Sequence, residues 1–361
     1  MKITSAMIVT GQKIVTRRIE RSRLPGTDLT NIKFGRVFSD HMFVMDHVEG
    51  EWRDPRIEPF ADLEMSPASS VLHYGQSIFE GLKAYRMDDG GIGIFRPQEN
   101  IARMNRSARR MCMPELPADL FLDALLDLVR VDSDWLPEGN DSALYIRPFM
   151  IAADEYIGIK PSDSYKFMIF TCPVRGYYNE PVRVQVELEY SRAFPGGTGY
   201  AKCAGNYAAA LYPAKQAQDR GIHQLIWTDA IDHKYIEESG TMNVFFRIDD
   251  TLLTPEAGNT VLEGITRDSI IQLAQKEGVP LEIRRVAVEE VVDAARSGRL
   301  KEAFGAGTAA TIAHIQSIQV GEEVFTLPPV EKREVANTLG DKLDAIRRGK
   351  AKDGFGWMVR V

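Results

Sequence analysis

Two charged residues stand where their types are out of place, and they carry most of the chemistry legible in this chain. Lys202 lies in Gly199-Tyr200-Ala201-Lys202-Cys203-Ala204-Gly205-Asn206-Tyr207, ringed by small residues at a strand or loop end before a helix. An amine attacks a carbonyl carbon only in its neutral form, so such a lysine needs desolvation or a cationic neighbour. The small neighbours leave room for a bulky planar guest. Spacing alone also allows a surface lysine in a flexible loop. Glu238 lies in Tyr235-Ile236-Glu237-Glu238-Ser239-Gly240-Thr241-Met242-Asn243, a carboxylate entering an apolar strand. Burying it is costly unless a cation pairs with it. The alternative is an acid pair exposed at a turn.

Two further segments offer donors to an anion. Gly264-Ile265-Thr266-Arg267-Asp268 opens a helix, with Thr266 a plausible N-cap, and free N–H groups at a helix start attract negative charge. Simple capping explains the same residues. Gly307-Thr308-Ala309-Ala310 offers backbone donors of a similar kind. Arg103 lies opposite the apolar face of its helix, which reads as solvated. Other chemistries lack support. There is no H-E-x-x-H, G-x-S-x-G or Walker A sequence, and the six histidines are scattered, so no metal site is expected. Gly305-Ala306-Gly307-Thr308 lacks the third glycine and the following acid of a dinucleotide loop.

The elements that position these residues follow from periodicity. Phe43, Met45 and His47, then Ile92, Ile94 and Phe95, read as strands, with Asp88-Asp89-Gly90-Gly91 as a turn. A helix opens at Pro97 and carries Ile101, Met104, Ala108 and Met111 on one face. A second runs over 118–131. Residues 145–149 look like a strand ended by Pro148, and 166–172 like a buried strand. The stretch 182–190 alternates as a strand, and 191–199 is a glycine-rich loop. A helix over 206–220 is kinked or restarted at Pro213. Strands at 225–228 and 244–248 flank a polar turn at 229–234. Helices are expected at 266–276, stopped by Gly278, and along Val335, Leu339, Leu343 and Ile346. Hairpins mixed with helices indicate a mixed α/β, or α+β, fold. The breaker-rich stretch from Pro173 is the expected linker, giving domains 1–172 and 183–361 joined by 173–182.

The chain has 361 residues, enough for two domains. Its 44% apolar and 26% charged residues are ordinary globular values. A net charge of −7 argues against nucleic-acid binding. Cys112, Cys172 and Cys203 form neither a zinc nor a redox pair, which suits a reducing cytoplasm. The basic start, with Lys2, Lys13, Arg17, Arg18, Arg21 and Arg23 against Glu20, is read as a solvated arm, a targeting segment being the alternative. No apolar run reaches the ~18 residues of a membrane span.

Four motifs are jointly specific: Phe79-Glu80-Gly81-Leu82-Lys83, Tyr145-Ile146-Arg147-Pro148, Gly205-Asn206-Tyr207 and Gly264-Ile265-Thr266-Arg267-Asp268. With them the chain closely resembles branched-chain amino-acid aminotransferases of the fold-type IV pyridoxal-phosphate class, from the stretch His73–Tyr85 through to Gly356-Trp357. The resemblance implies a smaller N-terminal α/β domain and a larger β-pseudobarrel domain, with pyridoxal 5′-phosphate between them. It implies reversible ping-pong transfer of an amino group between leucine, isoleucine or valine and 2-oxoglutarate, by a homodimer serving amino-acid biosynthesis.

Residue by residue, the resemblance makes Lys202 the Schiff-base lysine and proton carrier. Glu238 would keep the pyridine nitrogen protonated, and Tyr207 would bond the phenolic oxygen. Arg103, Ile265, Thr266 and Thr308 would bind the phosphate, against the solvated reading of Arg103. Tyr145 with the backbone of Ala309 and Ala310 would hold the substrate α-carboxylate. Phe79, Tyr207, Thr241 and Ala309 would wall the side-chain pocket. Arg147, on the same strand face as Tyr145, would receive the γ-carboxylate of glutamate, assisted by Tyr74 and Tyr177. Tyr74 and Ile159 would reach in from a neighbouring subunit. Some relatives carry a C-x-x-C switch where this chain has Ala310-Thr311-Ile312-Ala313, so no such thiol regulation is expected. Competing readings are a D-amino-acid aminotransferase, a lyase such as aminodeoxychorismate lyase, and a non-catalytic small-molecule-binding protein. Tyr145, Arg147 and the Phe79–Lys83 stretch favour the branched-chain pattern over the first two, and retention of Lys202 and Glu238 speaks against the third.

Overall fold

The structure is a computed structural model that describes residues 13–30, 32–176 and 180–361. These divide into two compact units, one drawn from Met1–Arg175, Ala201–Gly205 and Arg347–Val361, the other from Gly176–Tyr200 and Asn206–Ile346. Of the expected linker, residues 177–179 lie outside the described residues.

The first unit holds strands β1 (Val15–Thr16), β2 (His41–Val48), β3 (Glu51–Pro59), β4 (Ser77–Phe79), β5 (Leu82–Arg86), β6 (Ile92–Phe95), β7 (Ala143–Ala152) and β8 (Tyr165–Val174). Helices α1 (Val71–Tyr74), α2 (Pro97–Arg110) and α3 (Ala118–Val131) accompany them. The strands run β1-β3-β2-β8-β7-β5-β6, and β4 pairs with β7 beside β5. β2 is buried on both faces, Phe43 and Met45 on one and Met42 and Val44 on the other, and Phe121, Ala124, Leu125, Leu128 and Val129 form the apolar stripe of α3. Phe121 meets Phe167 of β8 edge to face at 4.8 Å. Pro148 does not end its strand as expected. β7 runs on to Ala152, and the Pro148 carbonyl accepts the Glu80 N–H at 2.8 Å. The missing donor of Pro148 falls on that same side, where Glu80-Gly81 interrupts the step from β4 to β5, so the loss is confined to the one bond a donor there would make towards Glu80.

The second unit contains β9 (Val182–Val186), α4 (Ala204–Ala209, which starts in the first unit), α5 (Leu211–Asp219), β10 (Gln224–Thr228), β11 (Tyr235–Ser239), β12 (Asn243–Ile248), β13 (Thr251–Thr254), α6 (Ile265–Lys276), β14 (Leu281–Ile283), β15 (Val286–Ala287), α7 (Val288–Arg296), β16 (Leu300–Gly307), β17 (Thr311–Val320), β18 (Glu323–Thr326) and α8 (Glu334–Arg347). Ten strands form one sheet in the order β14-β13-β12-β16-β17-β9-β10-β11-β15, with β18 on β17. Its terminal strands β14 and β15 are separated by only Arg284 and Arg285 in the chain. Three Cα steps span at most ~11 Å, so the sheet curls until its ends nearly meet. Val184, Ile226, Val244, Phe246 and Ile315 fill the interior of this unit. The chain then returns to the first unit, where β19 (Met358–Arg360) pairs with β6.

Several expectations change. β9 stops at Val186, because the Glu187 carboxylate accepts the N–H groups of Glu189 and Tyr190 and turns the chain. The helix after Lys202 breaks at Ala210, not at Pro213, since a proline ring clashes with the carbonyl four residues earlier. Residues 229–234 join β10 to β11, an antiparallel partner that the alternation did not resolve, and not to β12. Gly305 and Gly307 lie within β16 of an antiparallel hairpin with β17, a setting incompatible with a strand-to-helix phosphate loop.

Candidate active site

In the first unit, Lys202 is held alongside β4. Its carbonyl accepts the Phe79 N–H at 3.0 Å, and Ile78 forms a bridge with Cys203. Its own N–H donates to Ser107 Oγ of α2 at 2.9 Å. The amine Nζ stands 4.8 Å from the centroid of the Phe79 ring. The next residue along, Glu80, is fully enclosed. It accepts Arg103 Nε at 2.7 Å on one carboxylate oxygen, and Arg103 Nη2 at 2.8 Å and Asn100 Nδ2 at 2.7 Å on the other. Burial alone would raise the Glu80 carboxyl. The Arg103 guanidinium, Lys202 and Asn100 together override burial and hold it below the ordinary carboxylate range. Arg103 is therefore buried, with 4% of its surface exposed, and the solvated reading of its helix face fails. Asn100, Arg103 and Ser107 make that face a polar interior seam.

Tyr145 and Arg147 are two residues apart on β7 and share a side, as the alternation requires. Arg147 Nη2 donates to the Tyr145 hydroxyl at 3.1 Å. The guanidinium also stacks 4.8 Å from the centroid of Phe79 and 5.5 Å from that of Tyr145. Arg147 Nε is buried without a hydrogen-bond partner, and no carboxylate of the described residues pairs with this arginine. Room for the Tyr145 hydroxyl comes from Gly81. A Cβ there would lie 2.1 Å from that oxygen.

In the second unit, Glu238 sits on β11 with 4% exposure and accepts the Leu262 N–H at 2.5 Å. Arg192 Nε stands 3.3 Å from its other oxygen, but this nitrogen has no aligned acceptor, so the contact is electrostatic. Arg192 is anchored through Nη2 to the carbonyls of Thr260 (2.6 Å) and Gly199 (3.2 Å). The pairing of β10 with β11 skips Glu237, which is the extra residue of a bulge. Glu237 is buried too, and burial, with Glu238 beside it, pushes its carboxyl up. The reading of this pair as turn-exposed therefore fails. α6 starts one residue earlier than expected. Its N-cap is Gly264, which has no side chain to cap it, so Thr266 is an interior residue of the first turn. Thr308, Ala309 and Ala310 form the turn between β16 and β17, followed by Thr311 at a φ of +65°, strained for a β-branched residue. Tyr207 is half-buried on α4, and Thr241 is exposed in the turn after β11.

Two expected residues are open to the surroundings of the chain. Tyr74, at the end of α1, is 45% exposed and donates to the Ile157 carbonyl, and Ile159 is 90% exposed. Tyr177 lies outside the described residues. Sequence reasoning missed Glu80 and Arg192 as site residues. Glu80 carried the signal that singled out Glu238, a carboxylate next to apolar strand residues. Arg192, in a glycine-rich loop, carried none.

Residues 77–318 match the model of the family described as amino-transferase class IV. The chain is 44% identical to branched-chain-amino-acid aminotransferase 2 of Bacillus subtilis, over 96% of this chain and 97% of that one. It is 45% identical to branched-chain-amino-acid transaminase 1 of the same organism, over 92% and 95%. This chain belongs to the branched-chain-amino-acid aminotransferase family. The crystal structure of the branched-chain aminotransferase of Thermoproteus uzoniensis with norvaline superimposes with a TM-score of 0.72 at 26% identity, covering 89% of this chain and 99% of that one.

Class IV aminotransferases work with pyridoxal 5′-phosphate. That cofactor presents a carbonyl carbon, a ring nitrogen, a phenolic oxygen and a phosphate. Taken one at a time, the groups present in this family member fit them. There is an amine against an aromatic ring, a buried carboxylate on an apolar strand, and a buried guanidinium. There is also a twelve-residue helix whose N-terminus receives no side-chain cap.

Proposed function

We propose that this chain is a branched-chain L-amino-acid aminotransferase that exchanges the amino group between leucine, isoleucine or valine and 2-oxoglutarate. The observation that carries this reading is the setting of Phe79, an apolar ring with the Lys202 amine and the Arg147 guanidinium, which has no carboxylate partner among the described residues, each 4.8 Å from its centroid. Such a site must accept an apolar branched chain and, in the other half-reaction, a carboxylate. An apolar wall with a cation lacking a carboxylate partner meets both demands.

When bound, the cofactor supplies an electron sink for the negative charge that develops at the substrate Cα. Lys202 Nζ takes the proton from that carbon. Glu238 holds the proton of the ring nitrogen, and Arg192, 3.3 Å from its other oxygen, keeps that carboxylate in place. Tyr207 donates to the phenolic oxygen. Arg103, Thr308 and the backbone N–H groups of Ile265 and Thr266 bind the phosphate. Tyr145 and the N–H groups of Ala309 and Ala310 hold the α-carboxylate, and Phe79, Tyr207, Thr241 and Ala309 wall the side-chain pocket. Arg147, with Tyr74 and Tyr177, receives a γ-carboxylate. The exposure of Tyr74 and Ile159 supports a homodimer in which each chain lends these residues to its partner. Among the described residues no helix is long and apolar enough to cross a membrane; the cytoplasm is the proposed location. The test is turnover of the purified protein with L-leucine and 2-oxoglutarate. Glutamate should form, whereas D-alanine and aminodeoxychorismate should give no product. Activity with either of these and none with L-leucine would overturn the reading.

A further inference from the structure

Glu80 takes no part in the chemistry proposed above, yet none of its surface is exposed, and the bonds to its carboxylate come from one face of α2 and from its own turn. Arg103 donates through Nε to Oε1 at 2.7 Å and through Nη2 to Oε2 at 2.8 Å. Asn100 Nδ2 and the Gly81 N–H add bonds of 2.7 and 3.2 Å. Buried ion pairs of this kind are often replaceable by apolar residues without loss of stability, so folding by itself gives little reason for this one. Its geometry gives a better reason. A carboxylate that grips the Nε–Nη2 edge of a planar guanidinium allows a single orientation of the group. The donors of the opposite edge then point one way. Asn100, Arg103 and Ser107 are spaced as one helix face, and Ser107 receives the Lys202 N–H, so the same seam registers the amine-bearing segment against α2.

We propose that Glu80 is a positioning residue, whose carboxylate fixes the Arg103 guanidinium so that its opposite edge meets the phosphate of the cofactor. The inference rests on the reading of Arg103 as a phosphate ligand. It has an unusual sign. Glu80 brings a negative charge towards an anion site, so on net charge alone its removal would strengthen phosphate binding. Its contribution is pre-organisation of a long side chain that otherwise has to be ordered at binding. Geometry outweighs charge in this proposal, and the two predict opposite results.

The test is titration of the full-length apoenzyme with pyridoxal phosphate and, separately, with unphosphorylated pyridoxal, followed by absorbance. For Glu80→Gln the Kd for pyridoxal phosphate should rise at least about tenfold, the scale of one charge-assisted hydrogen bond, while the Kd for pyridoxal stays unchanged. Tighter or unchanged binding of pyridoxal phosphate overturns the proposal, and so does equal weakening of both ligands, which marks general collapse of the site. Should Glu80→Gln fail to fold, two other variants decide. Glu80→Asp keeps the charge but withdraws the grip, and should lose affinity for the phosphorylated ligand selectively. The double variant E80Q/R103M leaves no unpaired buried cation and should bind as R103M alone does. An undiminished ligand preference in Glu80→Asp, or a further selective loss in the double variant, overturns the proposal. If R103M itself keeps the wild-type preference for the phosphorylated ligand, the phosphate assignment of Arg103 fails. If R103M loses that preference while Glu80→Gln keeps it, only the role of Glu80 fails.

Discussion

Replacing Arg147 by methionine separates the two substrates that share one pocket. Methionine keeps the length and apolar stem and removes the cation. In the structure Arg147 is half-buried, lies against Phe79 and Tyr145, and has no carboxylate partner among the described residues. A hydrogen bond to a charged group is worth about 1.5–3 kcal/mol. At 1.4 kcal/mol per decade, kcat/KM for 2-oxoglutarate should fall roughly 10- to 100-fold. For leucine and its oxo acid the loss should be confined to the disturbed stack on Phe79, about 0.5–1 kcal/mol, or less than about fivefold. Single-turnover absorbance measures the half-reactions separately, with leucine on one form of the loaded enzyme and 2-oxoglutarate on the other. Arg147→Lys should fall between, because a lysine keeps the charge but not the planar fork. Equal losses in both half-reactions would refute the argument and leave Arg147 as a support for Tyr145.

Gly81→Ala drives a Cβ to within 2.1 Å of the Tyr145 hydroxyl, so KM should rise for every substrate through its α-carboxylate, while cofactor retention holds; unchanged KM values would show that Tyr145 yields at no cost. Glu238→Gln keeps the shape and removes the charge, so each half-reaction should slow strongly at nearly full cofactor occupancy; loss of cofactor with an unchanged rate in the remaining holoenzyme would make Glu238 structural only. The lowered carboxyl of Glu80 gives a pH dependence with a definite sign. A carboxyl depressed in the folded state contributes stability above its unfolded value of about 4.5, and loses it as pH falls through the lower folded value. Urea midpoints measured on the acid side should therefore fall more steeply with decreasing pH for the wild type than for Glu80→Gln, and parallel curves would contradict this.

Elements with long apolar periodicity were legible in the sequence. Pro97–Arg110, Ala118–Val131 and the helix along Leu339, Leu343 and Ile346 lie where the spacing places them. Short strands such as Ser77–Phe79 and Tyr235–Ser239 were not, because three to five residues carry too little alternation and their identity is set by pairing partners far along the chain. The same limit explains Arg103. Periodicity separates apolar from polar faces, but a polar face turned inward towards a buried carboxylate looks the same as one turned to water. Lys202 and Glu238 could be singled out as chemically odd, and only the resemblance gave them roles. Arg192 could not be found, since a loop arginine gains meaning only from the strand that folds beside it.

The central claim is that one particular lysine bonds the cofactor. Borohydride reduction of the yellow holoenzyme, with proteolysis and mass spectrometry of the product, tests it directly. The account predicts a single phosphopyridoxyl group on Lys202, and no such label in Lys202→Ala, where transamination should also fall by orders of magnitude. A label on another lysine such as Lys83, or near-normal turnover in Lys202→Ala, would contradict it.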